Sequence, residues 1–107
     1  MPERLSEPLF ARVALIGLGL IGSSIARAVS QYNLAGTLVA VDRDPQVLER
    51  VTALSLADET FADAAEGVRG ADLVILCVPV GACGAVAEVI APGLAEGAIV
   101  SDVGSVK

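Results

Sequence analysis

The feature that most constrains the fold is a glycine-rich turn, Gly17-Leu18-Gly19-Leu20-Ile21-Gly22, which lies between two segments of different periodicity. Residues 12–17 form a short apolar run with β-branched side chains, which predicts a buried strand. In residues 20–32 the apolar side chains recur at helical spacing, which predicts a helix. A strand, a glycine-rich turn and a helix in this order indicate the first part of a βαβ unit. We refer to residues 17–22 as the glycine turn.

The same alternation of strands and helices continues along the chain. We predict strands at residues 12–17, 37–41, 59–61, 72–78 and 98–101, and helices at 20–32, 45–54, 63–70 and 83–90. This pattern predicts an α/β fold, a Rossmann-type doubly wound parallel sheet with strand order 3-2-1-4-5. We expect one domain at residues 12–107 after an irregular segment at 1–11. The usual sixth strand of such a sheet is not expected within this sequence.

The composition is consistent with a sheet that is covered on both faces. The chain is 54% hydrophobic, which is high for a soluble domain. Parallel strands that are buried on both faces are continuously apolar, and this alone raises the hydrophobic fraction. A second interpretation is that part of the apolar surface belongs to an interface. We expect mostly the first cause and some contribution from the second.

Charge and residue types argue against several classes of partner. The net charge is −6 and the seven basic residues are scattered, which argues against nucleic-acid binding. Residues 1–12 contain no apolar segment typical of a signal peptide, and the apolar run at 13–22 is about half as long as a membrane helix. Cys77 and Cys83 lack metal-ligand spacing and the chain has no histidine, so we interpret both as small buried hydrophobic residues and expect no metal. We expect a cytoplasmic protein.

The spacing of the glycine turn has a physical reason at each position. Gly17 permits the tight turn, Gly19 lets a pyrophosphate approach the backbone, and Gly22 lets the helix pack closely on the strand. The N–H groups around Leu20 and Ile21 are then expected to face the phosphates, whose charge the helix dipole favours. The turn therefore predicts binding of a dinucleotide.

Residues that follow the second and the fourth predicted strands refine this prediction. Asp42 ends the second predicted strand, where a carboxylate accepts hydrogen bonds from the adenosine ribose and repels the 2′-phosphate of NADP. Arg43 complicates the choice, because an arginine there can hold that phosphate or stack on adenine, so we favour NAD while NADP stays open. Asp42 could also be a solvated acid at a strand end. Val78 and Pro79 follow the fourth predicted strand and are expected to line the cofactor path, although Pro79 taken alone is better explained as a strand terminator.

The final residues, 102–107, follow the fifth predicted strand and read D-V-G-S-V-K. A serine beside a flexible glycine could position a substrate hydroxyl, which makes Ser105 a candidate catalytic residue. From the residues alone, an N-cap role for Ser105 is an equally good interpretation. Asp102 and Lys107 could pair with each other or cap a following helix.

Four segments together resemble a known family. They are V-A-L-I-G-L-G-L-I-G-S-S at 13–24, V-A-V-D-R-D-P at 39–45, V-I-L-C-V-P-V at 74–80 and S-D-V-G-S-V-K at 101–107. In this combination the chain is similar to the N-terminal domain of prephenate dehydrogenases of tyrosine biosynthesis, which include the cyclohexadienyl and arogenate dehydrogenases. The first three segments are common to many NAD-dependent oxidoreductases, and the last is the specific one.

The resemblance implies an oxidative decarboxylation with hydride transfer to NAD(P)+ on prephenate or arogenate as the small-molecule substrate. It implies that Ser105 hydrogen-bonds the substrate hydroxyl and steadies a catalytic histidine, which this chain lacks. It also implies a helical C-terminal domain that forms a homodimer. We therefore expect the sequence to be the cofactor-domain part of such an enzyme and to be inactive alone. The alternatives are a dehydrogenase of another small hydroxy acid or imine, a non-catalytic NAD-sensing module, and a methyltransferase that uses S-adenosylmethionine.

Overall fold

Five parallel strands form one sheet whose order is β3-β2-β1-β4-β5, as predicted. The computed structural model describes residues 7–78, 80–94 and 96–102. The elements in chain order are β1 (Phe10–Ile16), α1 (Leu20–Tyr32), β2 (Ala35–Val41), α2 (Pro45–Ala53), β3 (Glu59–Phe61), α3 (Ala64–Gly67), β4 (Leu73–Leu76), α4 (Val80–Ile90), a short 3-10 helix (Ala91–Gly93) and β5 (Ile99–Asp102). The strand order runs from β1 to β2 and β3 on one side and to β4 and β5 on the other, which makes this a Rossmann-type fold.

The sheet is buried on both faces, which accounts for much of the apolar composition. Successive residues of β1 point to opposite faces, so Val13 and Leu15 enter one apolar cluster while Ala14 and Ile16 enter the other. The first cluster includes residues of α1 and α2, and the second includes Ile90 at the end of α4. The edge strand β5 is different, because Ile99 and Val100 stay 54% and 42% exposed.

The predicted strand boundaries differ from the structure where pairing with a neighbour decides the end. β4 ends at Leu76 rather than at Val78, because its neighbour β1 turns away at Gly17, whose φ is +91°. β1 and β2 each begin two residues earlier than predicted, at Phe10 and Ala35, which pair with each other. The prediction of β3 at residues 59–61 is confirmed.

Identifiable caps define the start of α2 and the end of α1. Asp44 caps α2 by accepting a hydrogen bond from the N–H of Gln46 at 3.0 Å, and Asn33 ends α1 in the left-handed conformation. The helix α4 begins at Val80, three residues earlier than predicted, although its first turns contain Gly81 and Gly84 and glycine is a weak helix former. The longest helix, α1, has 13 residues. Among the described residues, no helix is long and apolar enough to cross a membrane.

An ion pair joins strands at the amino end of the sheet, opposite to the glycine turn. Arg12 of β1 reaches across β2 to Glu59 of β3, with the two side chains 2.8 Å apart. The hydrogen bond from Arg12 lowers the pKa of Glu59, and the same bond raises the pKa of Arg12. Nearby, the carboxylate of Asp72 accepts the N–H of Ala11 at 2.8 Å. These contacts stabilise the scaffold and lie away from the candidate site.

Candidate cofactor-binding site

A cavity of about 580 Å³ opens at the carboxyl ends of the strands. Its floor is residues 16–19, at the end of β1 and the start of the glycine turn, and its sides are residues 41–43 at the end of β2 and 77–78 after β4. Between β1 and β4 the order in which strands are added to the sheet reverses, and open α/β sheets bind ligands at such a switch point. A cavity of this volume lies within the range of small-molecule sites.

Two glycines of the turn are required by the fold itself. Gly17 has a φ of +91°, and a Cβ atom there would lie 2.7 Å from the carbonyl oxygen of Cys77. Gly22 is buried where α1 crosses the turn, and a Cβ atom there would overlap the carbonyl oxygen of Gly17. Gly22 does not line the cavity. These positions therefore explain how the turn folds and say nothing about a ligand.

The middle glycine of the turn has no such requirement. Gly19 is the N-cap of α1 with φ −62° and ψ −159°, and a Cβ atom there would meet no heavy atom within 4 Å. It is exposed and lines the cavity. Neither a side-chain cap nor an acidic residue occupies the first turn of α1, so its N–H donors and positive dipole end remain available to an anion. The glycine is best explained by a group that approaches from the cavity.

Asp42 connects the glycine turn to the turn after β2. One carboxylate oxygen, Oδ2, accepts the N–H of Leu18 at 3.1 Å, and the other, Oδ1, accepts the N–H of Asp44 at 3.0 Å. The side chain is half-buried and lines the cavity. Because each carboxylate oxygen can accept more than one hydrogen bond, these contacts leave capacity for a hydroxyl in the cavity. The exposed Arg43 lies beside it on the cavity wall.

The structure brings together Gly17, Gly19, Asp42, Arg43 and Val78 of the predicted site around one cavity. Val78 is half-buried there. The predicted positions Pro79 and Ser105 lie outside the described residues. Leu20 and Ile21 are the first two residues of α1, and their side chains also lie outside the described part.

One wall of the cavity was not predicted from the sequence. It consists of four small or apolar residues on one face of α4, namely Ala82, Ala85, Val86 and Val89. Their spacing of three and four residues was visible in the sequence, but the same spacing is typical of an ordinary core face. Val89 is 52% exposed, so this face is not simply part of the core. Across the cavity lie residues 62–64, which include Asp63.

A family model described as prephenate dehydrogenase, nucleotide-binding domain, matches residues 25–107. The chain belongs to this family. The match begins after the glycine turn. The chain is 48% identical over 99 residues to cyclohexadienyl dehydrogenase of Zymomonas mobilis, covering 92% of this chain and 34% of that protein. It is 30% identical over 97 residues to prephenate dehydrogenase of Lactococcus lactis, covering 90% of this chain and 27% of that protein.

Solved structures of the family have the same fold. Prephenate dehydrogenase from A. aeolicus, in complex with hydroxyphenyl propionate and NAD+, has a TM-score of 0.81 and 27% identity over 91% of this chain and 34% of that chain. Arogenate dehydrogenase of Synechocystis has a TM-score of 0.81 and 32% identity over 90% of this chain and 34% of that chain. The present chain therefore spans about a third of the length of these prephenate dehydrogenase relatives.

Proposed function

We propose that the cavity binds NAD+ and that this chain is the cofactor-binding domain of a dehydrogenase acting on prephenate or arogenate. The observation that carries the proposal is Gly19, a glycine in the cavity wall that the chain's own packing does not require. Membership of the prephenate dehydrogenase family and the NAD+ complex of the A. aeolicus relative support it. The chemistry that NAD+ supplies when bound is acceptance of a hydride.

The residues of the cavity fit the parts of a dinucleotide. The first turn of α1, beginning at Gly19, offers N–H donors to a pyrophosphate. Asp42 offers carboxylate oxygens to ribose hydroxyls. The apolar face of α4 that includes Val86 and Val89 offers a surface for a base, with Arg43 on the rim. Val78 places an apolar side chain at the part of the cavity next to β4.

We infer a preference for NAD+ over NADP+. A 2′-phosphate beside Asp42 would place like charges together at a half-buried position, and Asp63 adds a second carboxylate to the same cavity. Arg43 is the opposing cation, but it is exposed, so solvent screens its attraction. The half-buried Asp42 therefore decides the preference, since the attraction of Arg43 and the repulsion of Asp63, which is also exposed, are both screened by solvent.

Calorimetric titration with NAD+ and NADP+ tests this preference. The wild-type chain is expected to bind NAD+ more tightly, and Asp42→Asn is expected to lose about ten- to a hundredfold in NAD+ affinity and to discriminate less, because hydrogen bonds to a charged group contribute about 1.5–3 kcal/mol. Asp58→Asn is a matched control, since its carboxylate also accepts a backbone N–H, that of Leu38 at 2.8 Å, but outside the cavity. Tighter binding of NADP+ by the wild type would contradict the assignment of Asp42.

The catalytic step is proposed to need parts of the protein beyond this chain. In the proposed reaction the ring carbon that bears the substrate hydroxyl gives up its hydride to NAD+, and the ring carboxylate, on a different carbon, leaves as CO2. Ser105 hydrogen-bonds the hydroxyl, and a histidine outside this chain acts as the base that takes the hydroxyl proton. The chain itself contains no histidine. We also propose that the full-length enzyme is a homodimer through its helical domain.

An assay of NADH formation tests this division. The full-length enzyme should reduce NAD+ with prephenate or arogenate, and Ser105→Ala in it should lower kcat more than it raises KM. The 107-residue chain should bind NAD+ without turnover. NADH formation by this chain alone with prephenate would contradict the proposal, as would a full-length protein that oxidises neither substrate.

A further inference from the structure

Leu18 is held by hydrogen bonds on both sides within the glycine turn. Its N–H donates to Oδ2 of Asp42 at 3.1 Å, and its carbonyl oxygen accepts the hydroxyl of Ser23 at 3.1 Å. Its side chain is only 5% exposed and belongs to the apolar cluster beneath α1. Leu18 is therefore fixed by its side chain and by both adjoining peptide groups. The backbone N–H of Ser23 also donates to the carbonyl of Gly19 at 2.9 Å.

The hydroxyl of Ser23 determines the orientation of one particular peptide group. The carbonyl of Leu18 and the N–H of Gly19 belong to the same peptide plane and point in opposite directions, because the bond is trans. With the carbonyl directed to Ser23, the N–H of Gly19 points away from the first turn of α1. Gly19 lines the cavity. Within the described residues, the N–H of Gly19 has no acceptor in the chain.

A peptide next to an exposed glycine would otherwise rotate easily. Glycine tolerates a wide range of backbone angles, and Gly19 has open space around its Cα. A rotated plane would turn the carbonyl of Leu18 toward the cavity, where its partial negative charge would repel an anion. The hydrogen bond from Ser23 opposes this rotation before any ligand arrives.

We propose that Ser23 is a positioning residue for dinucleotide binding, which acts by holding the N–H of Gly19 toward the pyrophosphate. This inference rests on the proposed NAD+ site. Ser23 itself does not line the cavity. A serine with this role should affect ligands that contain the pyrophosphate and leave ligands without it unaffected.

The test compares NAD+ with adenosine, which lacks the pyrophosphate, in calorimetric or NMR titrations of the 107-residue chain. Ser23→Ala should weaken NAD+ binding about three- to tenfold, the effect of losing one hydrogen bond. It should leave adenosine binding unchanged. Ser23→Thr keeps the hydroxyl, so its affinity for NAD+ should stay within about twofold of the wild-type affinity. Ser24→Ala is the matched control, since Ser24 is exposed on the same helix.

A second measurement does not depend on the stability of any variant. NAD+ added to the wild type should move the NMR signal of the Gly19 amide strongly, as expected for a new hydrogen bond to phosphate, and adenosine should not.

Equal losses of NAD+ and adenosine affinity in Ser23→Ala would overturn the inference, because they would indicate a purely structural role. Unchanged NAD+ affinity in Ser23→Ala would overturn it while the NAD+ site stands. A wild type that binds no NAD+ would overturn both.

Discussion

The three glycines of the turn should separate folding from binding when each is replaced by alanine. A Cβ atom at Gly17 or Gly22 collides with backbone atoms of the chain, whereas a Cβ atom at Gly19 meets no heavy atom within 4 Å. We therefore expect Gly19→Ala to fold normally and to lose cofactor affinity. Gly17→Ala and Gly22→Ala should lose stability first.

The structure sets the expected size of each effect. At Gly17 the left-handed φ of +91° costs a side chain about 1–2 kcal/mol, and the approach of 2.7 Å to the carbonyl of Cys77 adds to that cost. At Gly22 the overlap with the carbonyl of Gly17 costs about 1–3 kcal/mol. At Gly19 the φ of −62° suits alanine. Alanine makes the unfolded chain less flexible than glycine does, which stabilises the fold by about 0.4–1 kcal/mol and offsets the loss of a good N-cap residue.

Thermal unfolding and calorimetric titration with NAD+ measure the two effects separately. Because about 1 kcal/mol lowers Tm by roughly 4–8 °C in a domain of this size, Gly17→Ala and Gly22→Ala should unfold at least several degrees earlier. Gly19→Ala should keep its Tm within a few degrees and bind NAD+ at least about tenfold more weakly, a difference of about 1.4 kcal/mol. If Gly19→Ala bound NAD+ as tightly as the wild type, the reasoning from its open environment would be refuted.

Three further variants test other parts of the structure. Because the hydrogen bond from Arg12 lowers the pKa of Glu59, the ion pair stabilises the fold fully above pH 4.5 and this contribution is lost as the pH falls through the folded-state pKa. The Tm difference between wild type and Glu59→Gln should therefore shrink in acid, and a constant difference would contradict this. Gly67→Ala should lower the free energy of unfolding by about 1–3 kcal/mol and Tm by several degrees, because the new Cβ atom would overlap the side chain of Val41. An unchanged Tm would contradict this close packing. Val89→Ala should weaken NAD+ binding a few-fold, because Val89 lies on the cavity wall and about 0.8 kcal/mol is lost per buried CH₂. Its Tm should shift by only a few degrees, because Val89 is exposed in the free chain. Unchanged affinity for NAD+ would contradict the role of α4.

Much of the fold was predictable because local pattern and global topology agree. The apolar runs, the helical spacing of residues 20–32 and the rule of right-handed crossovers together predicted the strand order of the sheet. The ends of elements were harder, since they depend on partners distant in sequence. The length of β4 is set by the turn at Gly17, and the start of β2 by pairing of Ala35 with Phe10.

The candidate site was predictable in outline for the same reason. Glycine spacing and a strand-end acid identified Gly19 and Asp42, because these residue types have backbone and charge requirements that are local. The hydrogen bond from Leu18 to Asp42 and the bond from Ser23 to Leu18 could not be predicted, since they depend on how two turns lie against each other. The wall formed by α4 needed the packing of that helix to be known.

The most direct test of the NAD+ site is an NMR titration of the chain with NAD+. We expect the amide signals of residues 17–19, Asp42 and Val78 to move with a common dissociation constant. Signals of Asn33 and Ser55, which line a separate cavity of about 190 Å³, should stay in place. If saturating NAD+ left the signals of residues 17–19 unmoved, or moved only those of Asn33 and Ser55, the cofactor site would be elsewhere or absent.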